Sequence, residues 1–231
     1  MTTPEHTLVH LVRHGEVDNP GGVLYGRLAG FPLTERGRAM AERVAEHTAD
    51  WPLTHLASSP LERARETLAP IAARHPHLEP QVSEAVLEAT NDFEGQVFGP
   101  GNQALRKPAN WWKLRNPLRP SWGEPFTDLA ERMRTGILEA ARAAGPGGQA
   151  LVVSHQLPIW IARLDAEGRR LVHDPRKRQC TLASITTFHL LGERVVRVSY
   201  AEPALGLIPS KDRNANFSSG HSGPLHPEPT Q

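Results

Sequence analysis

In Thr7-Leu8-Val9-His10-Leu11-Val12-Arg13-His14-Gly15-Glu16, a short apolar run stops at an arginine, a histidine and a glycine. A run this brief and this apolar has the composition of a strand buried on both faces of a parallel sheet. The residues after it read as a nucleophilic histidine on a phosphate-binding turn. A second run, Leu151-Val152-Val153, ends in Ser154-His155. Two histidines therefore fall at corresponding points past two strands, where they can share one phosphoryl group.

Moving outward, a glycine-containing loop through Gly21-Gly22 and Gly30 leads to a helix expected from Thr34 through His47. Thr34 caps its amides, Glu35 complements its dipole, and Met40, Ala41 and Val44 face the core. Gly37 inside it points to close backbone packing. Leu53 to Ala57 reads as the next strand. Ser58-Ser59-Pro60-Leu61-Glu62 then predicts a helix start, with Ser59 as N-cap, Pro60 at the first helical position and Glu62 completing a capping box. Arg63 would lie in that first turn, among free amides that favour an anion. It reads either as a phosphate ligand or as a solvated helix charge, and Arg65 as the latter.

Residues 90–124 lose periodicity and hold Trp111, Trp112 and Trp122. They read as an inserted lid or substrate wall, or as a surface excursion whose tryptophans pack on the domain. A helix is expected from Pro125 to Ala144, with Phe126, Leu129, Met133 and Ile137 on one face and Gly145-Pro146-Gly147-Gly148 ending it. Another starts at Leu157-Pro158-Ile159-Trp160. Thr181 to Leu190 and Val195 to Tyr200 read as strands joined at Gly192. Residues 1–205 are assigned to one catalytic domain, and residues 206–231 to a mobile tail too poor in apolar surface to offset its ordering entropy.

Strands alternating with helices predict a three-layer α/β/α sandwich with a mainly parallel central sheet. Ligands in such sheets bind beyond the carboxyl ends of the strands. Arg13-His14, Ser58-Ser59 with Arg63, and Ser154-His155 should accordingly meet at one edge. With 26 basic and 25 acidic residues, the net charge of +1 supplies no global field for nucleic acid or a membrane surface, so an anion site must be local. Cys180 is the only cysteine, which excludes an intrachain disulfide and a clustered cysteine metal site. Residues 1 to 6 are polar and no apolar run approaches the ~18 residues of a membrane span. A cytoplasmic protein is expected. The remaining histidines, His75-Pro76-His77 included, read as surface residues rather than metal ligands.

Leu11-Val12-Arg13-His14-Gly15-Glu16, Tyr25-Gly26-Arg27, Pro32-Leu33-Thr34-Glu35-Arg36-Gly37, Ser58-Ser59-Pro60-Leu61-Glu62-Arg63-Ala64 and Val152-Val153-Ser154-His155 together resemble the histidine phosphatase superfamily, also called the phosphoglycerate mutase-like family. Gln179-Cys180-Thr181 is similar to its late strand. The resemblance implies that His14 is a nucleophile forming a phosphohistidine, with Arg13, Arg63 and His155 gripping the phosphoryl oxygens. Such chemistry suits a neutral imidazole, and guanidinium forks match phosphate. A carboxyl group must protonate the leaving alkoxide, and Glu84, Glu88 and Glu94 compete for that role. The family's placement after a short strand and before a glycine loop selects Glu88, with Glu94 as runner-up. Many members carry an asparagine six residues past the histidine. Here that position is Pro20, and Asn19 either donates to phosphate or belongs to an Asn-Pro turn. Arg27 matches a family arginine near the pocket and is assigned to substrate binding.

Neither metal nor other cofactor is implied. Ala89-Thr90-Asn91-Asp92-Phe93 after the acid resembles the phosphatase branch rather than the basic and aromatic stretch of the mutases. The resulting expectation is hydrolysis of a small phosphorylated metabolite, drawn in by Arg27, Arg106, Lys107 or Arg115. The alternatives are phosphoglycerate mutase-type transfer and a noncatalytic phosphate-binding or interaction module. Nucleic acid and membranes are not expected partners, and a homodimer is left open.

Overall fold

A computed structural model describes residues 6–97 and 123–209. Thr7–Arg13 forms strand β1, whose Val9, Leu11 and Val12 are fully withdrawn from water. Such complete burial requires cover on both faces of the sheet. The other strands are β2 (Leu53–Ser58), β3 (Gln81–Val82), β4 (Gln149–Ser154), β5 (Ile185–Leu191) and β6 (Arg194–Ala201). They form one six-stranded sheet in the order β3-β2-β4-β1-β5-β6. β1, β2, β3 and β4 run parallel, while β5 is antiparallel to β1 and to β6.

Helices α1 (Glu35–His47) and α2 (Glu62–Arg74) cover one face. Their Met40, Val44, Leu68 and Ile71 pack on Val12, Leu56, Leu151 and Val153. Helices α3 (Phe126–Ala144) and α4 (Gln156–Ala166) cover the other, bringing Leu129, Met133, Ile137 and Ile159 against Val9, Leu11, Ala57 and Val152. Successive strand residues point to opposite faces, so each strand feeds both cores. The three-layer sandwich with a mainly parallel sheet is thus present. No helix among the described residues is long and apolar enough to cross a membrane.

Thr34 caps α1 by accepting from the Gly37 amide at 2.9 Å. The expected start of α2 is corrected: the helix begins at Glu62 behind Leu61, with no side-chain cap. Ser59 remains extended because its amide pairs with Val153 O at 2.9 Å and its hydroxyl bonds His155 Nε2 at 2.8 Å. Strand β5 begins at Ile185 instead of Thr181, since Ala183 turns into the left-handed region at φ 54°. That turn delivers the Ala183 amide to His14 O at 3.3 Å. The two-residue strand β3 is too short to leave a periodic signal. His75 and His10 are buried, contrary to a surface reading: His75 Nε2 bonds Thr48 O at 3.1 Å, and His10 lies under Trp51 with ring centroids 4.4 Å apart. Packing continues past residue 205, where Leu207 and Ile208 join the α1–α2 core. Trp111, Trp112, Trp122, Arg106, Lys107 and Arg115, with most of the 90–124 segment and of the tail, lie outside the described residues.

Candidate active site

The register pairs Arg13 with Ser154 and Ser58 with Val153, so β1, β2 and β4 end together. That edge gathers His14, Ser59 and His155, with Arg63 following in the first turn of α2. His14 is 2% exposed and His155 fully buried, with ring centroids 5.2 Å apart. His14 Nδ1 sits 2.8 Å from Gly15 O. A carbonyl oxygen only accepts, so Nδ1 carries the proton and Nε2 keeps its lone pair. Burial, then the charges of Arg63 and Arg13, hold the His14 pKa well below the ordinary imidazole value, against the opposing Gly15 bond. The ring is neutral at physiological pH, with its Nε2 lone pair available.

The turn that presents His14 depends on two glycines. A Cβ on Gly15 would meet Gly37 O at 2.5 Å, and one on Gly37 would meet Glu16 O at 2.1 Å. This contact seats the His14 loop directly on α1. Glu16 locks it further by accepting from Thr34 Oγ1 at 2.7 Å and pairing with Arg36.

At this edge the buried donors Arg13 Nε, Arg63 Nε and His155 Nδ1 face no protein acceptor among the described residues. Buried donors ordinarily find partners, and such a set around one imidazole suits an anion. Arg13 is aimed by its Nη1 bond to Cys180 O at 2.7 Å. Arg63, 1% exposed, lies over the Tyr25 ring at 4.7 Å and donates to Gly26 O. Neither forms an ion pair among the described residues. Ser59 Oγ takes the Leu61 amide at 3.4 Å, which frees its hydrogen for His155 Nε2 and leaves Nδ1–H as the His155 donor. Burial first, and then Arg63, lower the His155 pKa well below its ordinary value.

The three glutamates separate clearly. Glu84 is exposed on a 3-10 turn. Glu94 Oε1 accepts the Arg27 amide at 3.1 Å, bracing the Tyr25–Arg27 turn. Glu88 is half-buried as a residue, but its carboxyl is enclosed, and burial raises its pKa despite the Ala89 amide bond and the charges of Arg63, Arg178 and Arg13. Arg27 does not stand free: Nε donates to Glu88 O at 2.6 Å and Nη2 reaches Glu124 at 3.3 Å. Asn19, 2% exposed, spends both amide atoms on the Val23 backbone, at 2.8 and 3.0 Å. It stabilises the loop after His14.

Several residues at the site carried no sequence signal. Arg132 of α3 grips Glu124 with two parallel bonds of 2.8 and 2.7 Å and donates to Ala85 O and Leu87 O at 2.8 and 3.0 Å. Glu124 in turn holds Arg27, so this clamp fixes the backbone on both sides of Glu88. Gln156 and Arg178 complete the wall beside Cys180, with Gln156 Nε2 3.4 Å from Cys180 O. None belongs to a short-range motif, and each acts across a tertiary gap.

The family model for the histidine phosphatase superfamily (branch 1) matches residues 9–202. The uncharacterized protein Rv0525 of Mycobacterium tuberculosis is 52% identical over 201 residues, covering 87% of this chain and 98% of that protein. A protein of Photorhabdus laumondii described as probable phosphoglycerate mutase GpmB is 30% identical over 197 residues, covering 78% and 85%. Among solved structures, phosphoserine phosphatase of Entamoeba histolytica in complex with 3-phosphoglyceric acid superimposes with a TM-score of 0.68 at 22% identity, covering 86% of this chain and 99% of that one. At that identity the likeness concerns the fold.

Proposed function

This chain belongs to the histidine phosphatase superfamily (branch 1), and on that premise we propose that it hydrolyses small phosphomonoesters through a phosphohistidine on His14. The observation that carries the reading is the His14 tautomer. Its protonated Nδ1 on Gly15 O leaves Nε2 as a neutral nucleophile beside Arg13 and Arg63, whose Nε atoms have no acceptor among the described residues. In the first step the Nε2 lone pair forms the N–P bond as the ester P–O bond breaks. Glu88 gives its proton to the departing alkoxide, a role its raised pKa suits. The phosphorylated ring is cationic, and the Gly15 carbonyl facing Nδ1–H stabilises it. In the second step water attacks phosphorus, the P–N electron pair returns to Nε2, and Glu88 recovers a proton from the water.

Arg13, Arg63 and His155 Nδ1–H are assigned to the phosphoryl oxygens, where charge spreads during transfer. Arg27 is assigned to the substrate side of the Glu88 segment. Asn19 acts by bracing its loop. The proposed chemistry uses no metal, and the protein is proposed to work in the cytoplasm on a small phosphorylated metabolite. Purified protein, incubated in chelator with a panel of phosphomonoesters, is expected to release phosphate, and a His14→Ala variant to release none. Equal release by both proteins would contradict the proposal. The GpmB relative supports a second reading, phosphoryl return to another oxygen of the substrate. Isomerised phosphoglycerate without free phosphate would establish it.

A further inference from the structure

The chain between α4 and β5 reaches the phosphoryl site through one peptide unit. The Cys180 carbonyl accepts from Arg13 Nη1 at 2.7 Å and from Gln156 Nε2 at 3.4 Å. On the opposite side of the same planar unit, the Thr181 amide donates to the Tyr200 hydroxyl at 3.0 Å. A peptide bond is rigid, and in its trans form C=O and N–H point in opposite directions. Whatever fixes the amide therefore fixes the carbonyl. Arg13 is aimed by Cys180, and Cys180 by Tyr200.

Tyr200 is the penultimate residue of β6, the edge strand of the sheet, and is half-buried. Its ring lies under the Arg163 guanidinium of α4 at 5.7 Å, and Arg163 Nη1 donates to Gln179 Oε1 at 2.9 Å, which ties the phenol to the loop it serves. Burial raises the Tyr200 pKa above its ordinary value, so the hydroxyl keeps its proton and donates to Glu202 Oε1 at 3.1 Å. Thr181 Oγ1 donates to the same oxygen at 2.9 Å. One carboxylate oxygen thus gathers both hydroxyls beside the Thr181 amide. Glu202 is anchored in turn, because its carbonyl accepts the Leu205 amide at 3.2 Å where the chain enters the turn that packs into the α1–α2 core. The far end of the loop returns to β1: Ser184 Oγ donates to Thr181 O at 2.8 Å, and Ser184 O accepts the Arg13 amide at 3.0 Å.

We propose that Tyr200 and Glu202 are positioning residues for the anion grip, orienting the Arg13 guanidinium through the Cys180–Thr181 peptide without touching substrate. The proposal rests on the assignment of Arg13 to the phosphoryl oxygens. The Arg13 side chain is held at Nη1, and its buried Nε has no acceptor among the described residues. A guanidinium is planar, so its orientation about the Nη1 bond decides whether Nε–H meets a phosphoryl oxygen in line. Removing the phenol oxygen frees the Thr181 amide and lets the peptide plane turn, taking the Cys180 carbonyl with it. Hydrogen bonds at the two ends of one peptide also polarise each other, so the same loss weakens the carbonyl as an acceptor.

The test is a double-mutant cycle read by calorimetry with orthovanadate, a tetrahedral phosphate mimic, on the full chain as wild type, Tyr200→Phe, Arg13→Ala and the double variant. Phenylalanine keeps the ring under Arg163 and removes only the hydroxyl. We expect Tyr200→Phe to weaken vanadate binding about tenfold where Arg13 is present and by less than about twofold in the Arg13→Ala background, since coupled residues are non-additive. A merely structural role would weaken both backgrounds alike. Glu202→Ala should weaken binding about threefold, and Glu202→Gln, which retains an acceptor oxygen, should restore most of it. These two variants leave the ring untouched and carry the test if Tyr200→Phe does not fold. Unchanged binding by the folded Tyr200 or Glu202 variants, or an equal loss in both backgrounds, would overturn the proposal. Failure of the phosphoryl-site reading shows separately, as no vanadate binding by wild type or equal affinity of wild type and Arg13→Ala.

Discussion

His14 and Glu88 have displaced ionisations that point in opposite directions, and both displacements favour the protonation states that phosphoryl transfer needs. A buried imidazole flanked by Arg13 and Arg63 resists protonation, whereas an enclosed Glu88 resists losing its proton. In the free enzyme, kcat/KM should fall on the alkaline side as Glu88 ionises, with that limb above the ordinary glutamate range. Glu88→Gln should abolish the limb and lower kcat by about 10²–10⁴-fold for alkyl phosphates. It should have far less effect on p-nitrophenyl phosphate, whose leaving group needs no proton. Equal losses on both substrates would assign Glu88 a merely structural role. His10 offers a stability test. Its pKa falls to about 4 through burial, partly offset by the Gln149 bond, so the unfolded chain takes up the proton first on acidification. The stabilisation is present above pH 6.5 and fades as pH falls toward 4, a difference worth about 3 kcal/mol. Denaturant unfolding at pH 7 and 4.5 should show a smaller drop for His10→Gln than for wild type. That His14, Arg13 and Arg63 come together was legible because they flank strand ends in short blocks. Arg132, Glu124 and Arg178 were not, because their partners lie on other elements.

Elements converge on the His14 loop through contacts that single substitutions can test. An alanine at position 37 would gain about 0.5–1 kcal/mol of helix propensity. The same Cβ would stand 2.1 Å from Glu16 O, and overpacking of this kind costs about 1–3 kcal/mol. The clash should win. Gly37→Ala is expected to lower the denaturation midpoint and, by shifting the loop that carries His14, to reduce kcat. The clamp from α3 makes a second prediction. Arg132→Ala leaves Glu124 without its bidentate partner and frees the Ala85 and Leu87 carbonyls just before Glu88. Displacing the acid by about 1 Å can cost up to about 100-fold. The loss should be concentrated in kcat for alkyl phosphates and be small for p-nitrophenyl phosphate, a pattern that general destabilisation would not give. The cap on α1 was readable from Thr34, whereas the delayed start of α2 was not. Ser59 and Pro60 supplied the local signal for a helix, but the bond from Ser59 to a histidine on a distant strand overrode it.

At the scale of the molecule, the sheet order β3-β2-β4-β1-β5-β6 puts β4 between β1 and β2, although β4 follows β2 by ninety residues of chain. Alternation of strand and helix was enough to derive three layers and a common site edge. The order itself was not derivable, because it depends on which strands share both cores rather than on any local pattern. That order is what brings His14 and His155 to a centroid separation of 5.2 Å with Arg63 alongside. The central claim is that this arrangement transfers phosphate to His14. It is tested most directly by rapid acid-free quenching of wild-type protein with a radiolabelled phosphoester, followed by peptide mapping. The expected result is an acid-labile, alkali-stable phosphoryl group on the peptide containing His14 that disappears as free phosphate accumulates. Label on any other residue, or phosphate release with no labelled intermediate at any time point while His14→Ala retains activity, would contradict it.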